Sequence, residues 1–163
     1  MNLTRSLKQP LMALALAFAM VAAAFAPASA FLDKTRFALH LGVAYFCFHH
    51  WVMKPYEQGA FASGAPHRTA ALIKGGAALL FAVHEVHVAE RIAAKSKDPL
   101  LQKLDHGVAS LESSFASVGS RLKSGQFNPS DVSSLSTQTG QVSSDAAAGG
   151  TTIKDVPTTV PGM

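Results

Sequence analysis

A seam of apolar residues in the second half of the chain most constrains what it can become. Leu101, Leu104, Val108, Leu111, Phe115, Val118 and Leu122 recur at intervals of 3, 4, 3, 4, 3 and 4. Three heptads with apolar a and d positions describe a helix; a strand, whose side chains alternate with period two, cannot keep that spacing on one face. The ends are punctuated as well. Asp98 before Pro99 pairs an N-cap carboxylate with a proline at the first helical position, where its missing N–H costs nothing. Gly125 follows as a C-terminal cap, so the spacing predicts a helix from Pro99 to about Ser124. Asn128-Pro129 repeats the device, and Val132, Leu135, Thr139, Val142 and Ala146 continue at 3, 4, 3 and 4 until Gly149-Gly150. These two helices read as an antiparallel hairpin. Its second member is weak, because serine and threonine hold so many positions.

Two further helices precede this hairpin. The first runs from about Lys34 to Met53, with Asp33 as its N-cap and Pro55 as its stop, since the residue before a proline is pushed out of the α region. From Phe37 to Met53 it is apolar nearly all round, so it must be enclosed by neighbours or by lipid. A loop from Lys54 to Ala65 follows, with Tyr56 and Phe61 as anchors onto the body. The next helix starts at Pro66 and runs to about Lys95. Its Gly75-Gly76 pair costs roughly 1 kcal/mol per glycine relative to alanine. Close approach of the aromatic surface of the first helix, which carries Phe48 and Trp51, offsets that cost.

The fold expected is therefore all-α, with a signal peptide (1–30), an aromatic and small-residue helical hairpin (31–96), a heptad-patterned hairpin (97–150) and a flexible tail (151–163). Whether the hairpins join in one four-helix bundle or extend end to end is open at this level.

The signal assignment rests on three features. Arg5 and Lys8 are positive, Leu11 to Phe25 is an unbroken apolar run, and Pro27-Ala28-Ser29-Ala30 places small residues where signal peptidase requires them. Cleavage between Ala30 and Phe31 is expected, with an uncleaved signal anchor as the rival. Export with a single cysteine, Cys47, leaves no internal disulfide. Cys47 is then either a buried small hydrophobe or one half of an intermolecular bridge.

The formal net charge of +4 falls to +2 once the two signal-peptide cations are removed, and no basic stripe interleaved with aromatics occurs, so nucleic acid is not expected as a partner. The uninterrupted apolar runs of the first two helices fall short of the roughly 20 residues that span a bilayer, which favours a soluble or peripheral protein. Peripheral membrane association stays compatible with that composition.

Histidines concentrate in the first hairpin. His84 and His87, three apart on one helix, could share a metal ion, with His40 or His49 of the preceding helix as a third ligand. The zinc-protease spacing is missing, and so is the di-iron Glu-x-x-His pattern, because Val88 stands three after Glu85. The alternative for the same side chains is a set of hydrogen-bonded or solvated imidazoles. No nucleophile elbow or phosphate loop is present, so no catalytic residue is assigned.

Three pieces of the chain, Phe48-His-His-Trp-Val-Met-Lys-Pro-Tyr56, Gly64-Ala-Pro-His-Arg68 and Ile153-Lys-Asp-Val-Pro157, resemble a group of uncharacterised exported helical proteins of high-GC Gram-positive bacteria (actinobacteria). The resemblance implies a secreted or cell-envelope setting and no catalytic residues. The function expected is thus a non-enzymatic structural or interaction protein of the envelope, self-associating or bound to an envelope partner. The alternative is a metal- or haem-binding protein using the histidines.

Overall fold

The structure, a computed structural model, describes residues 28–163. Most of the segment expected to be a signal peptide therefore lies outside the described residues, while Ala30 and Phe31 fall in the first turn of a helix. Helix α1 spans Ala28–Phe48, passes without a break through a π-helical turn, His49–Met53, and ends in one α-helical turn, Lys54–Glu57. Helices α2 (Arg68–Lys95), α3 (Pro99–Lys123) and α4 (Pro129–Ala148) follow. No strand occurs among the described residues.

Both ends of α1 differ from expectation. Asp33 is no cap: the helix already runs through it, and its carboxylate accepts a hydrogen bond from Ser96 Oγ at 3.1 Å. Pro55 does not stop the helix either, and Lys54 before it stays helical at φ −60°, ψ −49°. In a regular α-helix the proline ring would strike the carbonyl four residues back. Here the Lys54 N–H reaches His49 O, five residues back, and the wider turn gives the ring room. The expected loop shrinks accordingly. Tyr56 and Phe61 do anchor it, both packing on Phe127 with ring centroids 5.8 and 5.1 Å apart. Helix α2 begins at Arg68, two residues later than Pro66 suggests, because His67 takes a left-handed conformation (φ +57°) and Arg68 Nε donates to Phe61 O at 3.0 Å.

The second half follows its punctuation. Asp98 accepts from Leu100 N and Leu101 N, and Asn128 from Ser130 N. Burial pushes the Asp98 carboxyl up, but the Lys34 ammonium at 3.0 Å and the two N–H groups outweigh it and hold the carboxyl below its ordinary range. Gly125 turns the chain at φ +82°. Every seam residue of α3, and all five of α4, is buried.

The hairpins join in one core. Phe48 of α1 packs on Phe115 of α3, with centroids 6.0 Å apart, and the Tyr45 hydroxyl donates to Thr139 O of α4 at 3.0 Å. Burial pushes the Tyr45 hydroxyl to a pKa of about 12, so it remains a donor. Gly75 and Gly76 face different partners. A Cβ on Gly75 would lie 3.0 Å from Trp51 O of the π turn. One on Gly76 would clash with Lys123 N and lie 2.7 Å from Gly119 O, so the closest crossing is α2 on α3 rather than α2 on the α1 aromatics. Helix α2 is long and apolar enough by composition to cross a membrane, and it is also the helix that packs against both α1 and α3.

The tail is extended, and it lies along α1. Val156 N donates to Gly42 O at 2.9 Å, and a Cβ on Gly42 would meet Lys154 O and Val156 Cγ2. Val160 is buried.

Candidate functional site

The histidines named from sequence are set by α1 and α2, which run antiparallel, with Asp33 near Ser96 at one end and Trp51 against Gly75 at the other. The structure does not gather His40, His49, His84 and His87. It gives three of them separate carboxylate partners. His40 Nδ1 and Glu85 Oε2 are 2.7 Å apart in a partly buried pair between α1 and α2. His49 Nδ1 lies 2.8 Å from Asp155 Oδ2 of the tail. His87 Nδ1 lies 3.2 and 3.3 Å from the two oxygens of Glu112 on α3. His84 is exposed, and His50 stacks on Phe46 at 5.0 Å.

One metal-competent cluster does form among the described residues. His87, Glu90 and Glu112 each offer a ligand atom, all within 4.8 Å of one another. His87 and Glu90 are three apart on one face of α2, and Glu112 reaches across from α3. Sequence reasoning missed both glutamates. The His-x-x-Glu spacing of 87 and 90 was visible, but the approach of Glu112 depends on the α2–α3 crossing. Asp155 was hidden for the same reason, since its segment was expected to be free.

Cys47 is fully buried, and burial with the nearby Glu85 charge pushes its thiol to about 12. At neutral pH it is a small hydrophobe out of reach of a second chain, which sets aside the intermolecular bridge.

The remaining surface signal is apolar. Leu32, Leu39, Val43 and Phe46 stand at i, i+7, i+11 and i+14, one strip of α1. Leu32 is 57% and Leu39 49% exposed, while Val43 and Phe46 are half-buried. The opposite side of the same helix is sealed, with Phe37, Leu41, Ala44, Phe48 and Val52 at 0%. Phe31 and Ile73 add further exposed apolar area. No family model, curated protein or solved structure matches this chain.

Proposed function

We propose that this protein is an exported, non-enzymatic structural or interaction protein of the bacterial cell envelope that pairs with a second copy of itself. The α1 strip carries this reading. A helix apolar all round needs cover on every side, and the bundle and tail leave this strip only partly covered. A second copy meeting strip on strip supplies that cover by a two-fold contact, with Leu39 and Val43 near its middle. The export signal and the composition support the envelope setting.

Engineered cysteines test both parts at once, because the native Cys47 is buried. Leu39→Cys or Val43→Cys, expressed in an exporting host, should yield a reducible dimer on a non-reducing gel, since disulfides persist outside the cytoplasm. Ser117→Cys, exposed on α3, should not. A monomer at both strip positions overturns the reading.

A second reading is favoured by the His87–Glu90–Glu112 cluster. One imidazole and two carboxylates suit a divalent ion such as Zn2+ and leave a coordination position open; they do not suit haem, which takes histidine, methionine, cysteine or tyrosine ligands. The His87 Nδ1–Glu112 separation of 3.2 Å is close to the roughly 3.3 Å expected between two ligands of a tetrahedral zinc ion, and Glu90 offers its oxygen within 4.8 Å of both. Dialysis against Zn2+ followed by elemental analysis tests it: one equivalent retained, and lost in Glu112→Gln, supports binding there.

A further inference from the structure

At the end of the bundle where α1 begins and α2 finishes there is a cleft of about 430 Å3. Its walls carry Arg36 of α1, Arg91 and Lys95 of α2, and Ser96, with Asp33 as the one carboxylate. Asp33 is engaged by Ser96 Oγ. Among the described residues none of the three cations forms an ion pair, whereas the neighbouring Lys34 is matched to Asp98. Arg91 and Lys95 are four apart on one helix face, so they repel each other, and Arg36 from the facing helix adds to that repulsion. The dipole at the C-terminus of α2 explains Lys95, which lies in the last turn. It does not explain Arg91 one turn earlier, nor Arg36, which belongs to another helix. Three cations on the walls of one cleft outnumber its single carboxylate, which describes a place that an anion would stabilise.

We propose that this cleft binds a phosphate group carried by the headgroup of an anionic phospholipid. Guanidinium forks match phosphate oxygens two at a time, and two arginines on facing helices grip such a group from both sides. The lipid source is indicated by what stands beside the cleft. Leu32 lies one turn before Arg36 on the same strip, and Phe31 and Leu32 are 73% and 57% exposed. An aromatic and an aliphatic side chain next to these cations suit the interface between headgroups and acyl chains. This inference goes beyond self-association. It shares Leu32 with the strip between copies, but the tests stay separate, because the cysteine positions Leu39 and Val43 lie outside the cleft that Arg36, Arg91 and Lys95 line.

Vesicle sedimentation with the chain recovered from an exporting host tests it, using phosphatidylcholine vesicles and phosphatidylcholine–phosphatidylglycerol vesicles. The wild type should prefer the phosphatidylglycerol vesicles. A lysine or arginine at an anionic surface contributes roughly fivefold to partitioning, so Arg91→Gln/Lys95→Gln should lower that preference by about 25-fold and Arg36→Gln by about fivefold. Lys103→Gln/Lys123→Gln removes two exposed α3 cations and serves as the control for net charge; it should fall well short of the cleft pair. Helicity by circular dichroism must match wild type in each case. Equal losses in the cleft and control pairs overturn the proposal, because net charge alone would then do the binding. So does the absence of any preference for anionic vesicles. Titration with inorganic phosphate separates the sources: cleft-dependent phosphate binding with no vesicle preference overturns the lipid assignment in favour of a soluble phosphate.

Discussion

In the α3–α4 half the helix ends carry their own instructions, whereas in the α1–α2 half the ends are decided by contacts from elsewhere. Asp98 and Asn128 satisfy the first N–H groups of their own helices. Asp33, a similar side chain in a similar sequence position, instead accepts from Ser96, sixty-three residues away. Pro99 and Pro129 start helices, while Pro55 sits inside one because a π turn makes room for it. At the helix starts, Asp98 and Asn128 satisfy local backbone, whereas Asp33 serves a distant partner. The half governed by long-range partners is also the half that exposes an apolar strip and carries the cationic cleft.

Cutting the core where the halves meet gives the largest expected effect. Phe115 is fully buried against Phe48, so Phe115→Ala should cost about 3–5 kcal/mol. Thermal unfolding followed by circular dichroism should still show a single transition. Two transitions would mean that the hairpins are separate units, and would break the comparison by removing the contact that joins its terms.

The glycines sharpen the contrast, because one substitution should change sign between the halves. At Gly76 an added methyl meets backbone of α3, so Gly76→Ala should destabilise by about 1–3 kcal/mol. At Gly140 nothing lies within 4 Å of the new methyl, so Gly140→Ala should stabilise by roughly 0.5–1 kcal/mol. Urea midpoints of both variants check this. A stabilised Gly76→Ala would place the α2–α3 crossing wrongly.

Between these two in size comes the cap. Asp98→Ala should cost about 1 kcal/mol at neutral pH by chemical denaturation. The Asp98 pKa is held below its ordinary value in the folded chain, so its stabilisation is full above the usual carboxylate range and is lost as pH falls through the lowered value. Stability curves of wild type and Asp98→Ala should therefore converge in acid. The smallest effect concerns Cys47, which a thiol reagent at neutral pH should modify only at the rate of unfolding.

Legibility divides along the same line. The seam from Leu101 to Leu122 and the caps at Asp98 and Asn128 were readable because each is complete within a few turns of chain. The all-round apolarity of α1 was readable too, but not which side is covered. That depends on where α2, α4 and the tail come to lie. The π turn was hidden because His49–Met53 looks helical and only the Trp51 carbonyl against Gly75 shows its setting. The histidine partners failed for a simple reason: Glu85, Glu112 and Asp155 lie 45, 25 and 106 residues from the imidazoles they face. Spacing on one helix could suggest that His84 and His87 act together. It could not show that α3 would offer His87 a carboxylate instead.

The central claim is that the outward strip of α1 is where two copies meet, and the mass of the particle in solution tests it most directly. Multi-angle light scattering on the chain recovered from an exporting host, in detergent-free buffer, should give twice the chain mass for wild type. Val43→Lys, which places a charge mid-strip without touching the sealed side, should give the mass of one chain with helicity unchanged. A wild-type mass of one chain at micromolar concentration would contradict the account, as would a Val43→Lys protein that still runs at twice the chain mass.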